Sequence, residues 1–113
     1  MATISVIYPQ GEQAEFDFEY YQSQHLPLLT QRWGPMLAGV EALRGTATPD
    51  GREAPYLAIA LLRFTSIEAL KAATGGEHAA EIFADIPKFT NVRPIVQINE
   101  QVPYPARPRG LSA

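Results

Sequence analysis

Nine consecutive residues, Tyr56-Leu57-Ala58-Ile59-Ala60-Leu61-Leu62-Arg63-Phe64, are apolar on both alternating faces, with Arg63 the one interruption. Side chains along a strand point alternately to the two faces of its sheet. An antiparallel strand with helices on one side and water on the other therefore alternates clearly between apolar and polar. This run does not, so its second face needs a cover. A chain of 113 residues holds one core and has no second layer to supply. The cover expected is another copy: a homodimer formed through the open sheet face.

The remaining elements fall around that strand. Residues 2–8 are β-branched and alternating, and Pro9-Gln10-Gly11 ends them in a turn. Asp17 stands where a helix N-cap belongs, with Glu19 in the first turn. Phe18, Tyr21, His25, Leu28 and Arg32 then share one helical face. Pro27 has no amide hydrogen and its ring crowds the Ser23 carbonyl, which predicts a kink or a break with restart. Gly34-Pro35 closes the element, residues 36–39 form a connection, and residues 40–48 have weak strand character. A turn follows at residues 49–53.

Beyond the central strand, Thr65 or Ser66 caps a helix over Ile67–Thr74, which Gly75-Gly76 ends. Residues 77–86 form a further helical stretch stopped by Pro87, and residues 94–99 form the last strand. The order is β-α-β-β-α-β, an α+β chain of ferredoxin-like type: a four-stranded antiparallel sheet with helices on one face. The domain spans residues 1–101. Residues 102–113 form a proline-rich tail, expected to lie extended across the dimer partner.

Composition removes several classes of function. Net charge is −3 without a basic cluster, which argues against nucleic acid and anionic membrane as partners. Cysteine is absent, so disulfides and thiolate chemistry are excluded. No run approaches the roughly 20 apolar residues of a membrane span, and no signal-peptide pattern opens the chain. A cytoplasmic location is expected. Two histidines 53 positions apart make no metal motif. No G-x-G-x-x-G turn is present, so no dinucleotide is expected, and no cofactor is expected overall; the missing nucleophile elbow argues against Ser-His-Asp hydrolysis.

Four segments carry a family resemblance: Ser5-Val6-Ile7-Tyr8-Pro9; Phe16-Asp17-Phe18-Glu19-Tyr20-Tyr21 with His25-Leu26-Pro27-Leu28; Tyr56-Leu57-Ala58-Ile59-Ala60 with Arg63-Phe64; and Ala84-Asp85-Ile86-Pro87-Lys88-Phe89-Thr90-Asn91. On these the chain resembles the EthD family, named for ethyl tert-butyl ether degradation, a branch of the dimeric α+β barrel proteins. The resemblance covers residues 4 to about 100. It implies two sheets pressed into a barrel and, in each subunit, a cleft between helices and sheet. Wider barrel relatives include cofactor-free monooxygenases, isomerases, cyclases and haem enzymes, and the fold does not choose among them.

His25 is the leading candidate for chemistry. It titrates near neutral pH and its register aims it inward, as a general base requires. Its structural role would be to bond a carbonyl freed by Pro27; both roles fit. Tyr21, four residues earlier, is the better placed of two adjacent tyrosines to support it as a donor, or else is a core residue with its hydroxyl at the surface. Trp33 is a cleft wall or a pin for the helix end. Arg63 is ligand-facing or held in a salt bridge. Tyr8, Phe64 and Phe89 are candidate pocket walls. Asp85 and Asn91 read as turn-forming residues. The expected ligand is a small apolar molecule. The expected chemistry is proton transfer or a monooxygenase-like oxidation without cofactor. The alternative is a non-catalytic accessory protein that sequesters a pathway intermediate.

Overall fold

The computed structural model describes residues 2–103; most of the proline-rich tail, including Pro105 and Pro108, lies outside them. Four strands, β1 (Ala2–Pro9), β2 (Leu37–Arg44), β3 (Tyr56–Phe64) and β4 (Ile95–Glu100), form one sheet in the order β2-β3-β1-β4. Each neighbouring pair is antiparallel. The helical segments are α1 (Phe18–Tyr20), α2 (Leu26–Trp33), α3 (Ile67–Thr74) and α4 (Glu77–Ala84). This is the ferredoxin-like arrangement.

Strand alternation decides which side the helices cover. Ile4, Val6 and Tyr8 of β1, with Ala58, Ala60, Leu62 and Phe64 of β3, are buried toward the helices. Leu29 and Trp33 of α2, Leu70 and Ala73 of α3, and Ile82 of α4 close over them. On the other side Leu57, Ile59, Leu61 and Arg63 of β3 remain only half-covered. The two-sided apolar strand thus has one face in the core and one uncovered.

Local chemistry places the helix ends as expected. Asp17 accepts a hydrogen bond from the Tyr20 amide at 3.1 Å, and Ser66 accepts one from the Ala69 amide at 3.0 Å. Several boundaries differ from the sequence reading: β2 ends at Arg44, β4 spans Ile95–Glu100, and two differences have a clear local cause. β2 begins at Leu37, because its pairing with Phe64 absorbs the expected connection through a register shift at Gly39. The second helical stretch stops at Ala84, with Asp85 as its C-cap and a 3₁₀ turn, Ile86–Lys88, around Pro87.

The predicted kink takes a particular form. Between α1 and α2, Tyr21–His25 is a π turn, in which the Leu26 amide donates to the Tyr21 carbonyl. Pro27 enters at the first turn of α2. A wider turn ahead of a proline relieves the crowding between its ring and the preceding carbonyl.

Candidate active site

The π turn determines which side chains meet. On a regular helix, residues five apart sit about 140° from each other, at 100° per residue. The extra residue of a π turn brings positions five apart back toward one face. Tyr20 and His25 are such a pair, and both reach Asp85. The His25 Nδ1 lies 3.0 Å from Asp85 Oδ2, and the Tyr20 hydroxyl donates to Asp85 Oδ1 at 2.9 Å. Lys88 Nζ is 3.6 Å from the same Oδ1.

Asp85 is brought there by a clamp between two distant segments. The Asp17 amide donates to the Phe89 carbonyl at 2.7 Å. Asn91 accepts from the Glu15 amide and donates to the Gln13 carbonyl, while the Thr90 hydroxyl donates to the Glu15 carbonyl. The segment after α4 is thereby tied to the entry of α1, with Asp85 held against His25.

The electrostatics follow from burial and bonding. His25 is only 3% exposed. Burial pushes its imidazole below the ordinary histidine range, and the bond to Asp85 offsets this only in part. Burial opposes ionisation of Asp85, but the hydrogen bonds from His25 and Tyr20 outweigh it and hold the carboxyl below its usual range. The resting pair is a neutral imidazole donating from Nδ1 to a carboxylate. That tautomer leaves the Nε2 lone pair as the basic site.

Aromatic rings surround His25. Phe89 lies 4.6 Å from it between ring centroids, and Tyr21 stacks on it at 5.8 Å with 16° between planes. Tyr8 and Phe16 meet Tyr21 edge-on at 6.2 Å and 5.0 Å. The Tyr21 hydroxyl is buried without a hydrogen-bond partner among the described residues, and burial pushes its phenol pKa up to about 12. Tyr21 also lines a cleft of about 420 Å³ between the first helical segment and β2, with Phe18, Gln22, Leu26, Ala42, Leu43 and Arg44.

The sequence candidates divide accordingly. Tyr21 and Phe89 pack on His25, and Tyr8 packs behind them on both. Trp33 and Phe64 pack on each other at 5.9 Å, at the far end of the sheet, where Phe64 pairs with Ala2 while Tyr8 pairs with Ala58. Trp33 Nε1 is buried there without a partner among the described residues. Arg63 lies on the face away from the helices, paired with Glu41 at 2.9 Å.

Several expectations are corrected. His25 bonds Asp85 rather than a carbonyl freed by Pro27, because the π turn swings the ring toward α4. Asp85 is more than a turn residue: it caps α4 and receives both Tyr20 and His25. Asn91 does shape local backbone, but across segments rather than within one turn. The Tyr21 hydroxyl does not reach the surface. The signal that could have found Asp85 is a carboxylate next to a helix-ending Ile-Pro, on a segment where an exposed cap was the simpler reading.

Comparison with known proteins agrees with this architecture. The EthD domain model matches residues 9–93, well over half of the chain. An EthD-like protein from Ralstonia eutropha JMP134 superposes with a TM-score of 0.80 at 33% identity, covering 88% of this chain and 89% of that one. An ethyl tert-butyl ether degradation (EthD) family protein from Bacillus halodurans C-125 gives 0.72 at 24% identity, covering 90% and 99%. An antibiotic biosynthesis monooxygenase shares the fold at a TM-score of 0.50 and 15% identity, covering 91% and 100%. No curated protein matches the chain. The ferredoxin-like fold is shared with these structures, and with the domain match and the 33%-identical relative in agreement, the chain belongs to the EthD family.

Proposed function

We propose that this protein binds a small, mostly apolar molecule beside the aromatic cluster and acts on it by proton transfer, with His25 as general base and Tyr21 as supporting donor. The observation that carries this reading is the convergence of Tyr20 and His25 on the two oxygens of Asp85. Asp85 fixes the ring orientation and the tautomer, and it stabilises the imidazolium that forms when Nε2 takes a proton. Tyr21, a donor with no partner among the described residues and a raised pKa, suits stabilisation of the resulting enolate oxygen. A cofactor-free oxidation of an activated carbon acid would begin with the same proton abstraction. The working unit is a homodimer formed through the open sheet face.

A second reading is supported by the enclosure of His25: Tyr21 and Phe89 pack against its ring and leave it almost no exposed surface. On this reading the dyad is structural and the protein only holds its ligand.

The two readings separate by α-deuteration of aryl alkyl ketones in D₂O, followed by NMR. The enzyme reading expects exchange above buffer for the wild type, lowered at least a hundredfold in His25→Ala, the scale of general base catalysis. Exchange unchanged in His25→Ala, with the variant folded, would overturn it.

A further inference from the structure

The cleft beside Tyr21 has apolar walls and one formal charge. Phe18, Tyr21, Leu26, Ala42 and Leu43 line it, Gln22 adds an amide, and Arg44 sits at its rim. Its volume, about 420 Å³, falls within the range of small-molecule pockets. Sheet register explains the space. In one helix-facing row Tyr8, Ala58 and Arg44 are neighbours, and in the next Val6, Ala60 and Ala42. Of these small residues Ala42 on β2 lines the cleft, where a larger side chain would narrow it, while Ala58 and Ala60 on β3 are buried in the core.

Arg44, like Arg93, differs in its pairing from three other arginines of this molecule. Arg32, Arg52 and Arg63 each hold a carboxylate, on Glu81, Asp50 and Glu41 respectively. None of the ion pairs among the described residues involves Arg44. Its guanidinium instead lies 4.3 Å from the centroid of the Phe18 ring. A cation–π contact orients the planar fork without using its hydrogen-bond donors. The result is a pre-positioned carboxylate receptor at the mouth of an aromatic-walled cleft. Behind the cleft, the buried Tyr21 hydroxyl lacks a partner among the described residues.

We propose that this cleft selects an aromatic carboxylate: the ring lies against Phe18, Tyr21 and Leu26, and the carboxylate is held by Arg44. This names the ligand class and rests on the reading of the site as a small-molecule pocket. Arg44 is then a specificity-determining residue, separate from the His25–Asp85 pair. A ligand so anchored presents its far end toward Tyr21 and the dyad behind it.

The test uses 2-naphthoate and its neutral counterpart 2-naphthamide, titrated by calorimetry against wild type, Arg44→Gln and Arg44→Lys. Amide shifts in ¹⁵N spectra locate binding at Gln22, Leu43 and Arg44. The expected result is that naphthoate binds more tightly than naphthamide. Arg44→Gln should weaken naphthoate about tenfold, the scale of a charge-assisted hydrogen bond, with little effect on naphthamide. Arg44→Lys should recover part of the difference, and added salt should weaken only naphthoate. Equal binding of both probes, or equal losses in Arg44→Gln, overturns the selection while leaving the pocket in place. Binding of neither probe, or shifts elsewhere, removes the pocket reading and the selection with it.

Discussion

A buried histidine next to a buried carboxylate can rest as an ion pair or as a neutral hydrogen-bonded pair, and only the second offers a base. Here burial moves the His25 pKa down and the bonds from His25 and Tyr20 move the Asp85 pKa down, so near neutrality Asp85 is charged and His25 is not. The pH dependence follows from linkage. Below the unfolded histidine pKa of about 6.5, the unfolded chain binds a proton that folded His25 resists. The contribution of His25 to stability is therefore present above that pH and is lost as pH falls below it. A His25 imidazole that titrates in NMR below about 6.5 is the expected result. Asp85→Asn removes the interactions that raise the His25 pKa, so titration should move lower still. A shift upward in that variant would show that Asp85 is not the partner of the neutral ring. Catalytic activity, if His25 is the base, should persist below pH 6.5 and then fall with an acid limb at the measured His25 pKa.

At the scale of elements, two N-caps of similar chemistry have different reach. Asp17 caps the segment that carries Tyr20, while Ser66 caps α3. Asp17→Ala and Ser66→Ala should each cost about 1 kcal/mol. Only Asp17→Ala should also shift the His25 titration, because only that cap holds Tyr20 in reach of Asp85; equal titration curves for both variants would count against the coupling. Deleting Ser23, exposed in the π turn, should restore a regular helix in which Tyr20 and His25, then four positions apart, stay on one face, so both contacts with Asp85 should survive. The same distinction marks what was legible in the sequence. Caps, strand alternation and proline breaks depend on a few neighbouring residues, so Asp17, Ser66, the two-faced strand and the disturbance near Pro27 could be read directly. The His25–Asp85 contact joins residues 60 apart. It depends on the π turn and on the clamp through Phe89, Thr90 and Asn91, neither of which has a sequence periodicity. Arg63 shows the converse limit: its place in an apolar strand marked it as unusual, but only the register shows that it faces Glu41 and not the cleft.

At the scale of the whole molecule, the uncovered sheet face is uneven in a way that bears on the proposed homodimer. Register aligns Ile95, Ile7, Ile59 and Leu43 in one row across all four strands. The next rows carry Gln97, Ser5, Leu61 and Glu41, then Asn99, Thr3 and Arg63. The polar side chains there are already bonded to each other: Asn99 donates to Ser5 at 2.8 Å, Gln97 to Asn99 at 2.6 Å, and Arg63 to Glu41 at 2.9 Å. Polar groups that enter an interface with partners in place avoid much of the cost of burial. From strand spacing and rise, the face spans roughly 500 Å² in projection. The apolar row must then supply much of the affinity, and Ile59, at an inner position in it, is the place to break it. Ile59→Glu should convert a dimer, measured by sedimentation velocity, to a monomer, while circular dichroism stays unchanged because Ile59 points away from the helices. Dimer retained in Ile59→Glu would place the interface elsewhere on the molecule. Monomeric wild type would mean that the apolar second face of β3 is covered by something other than a second copy.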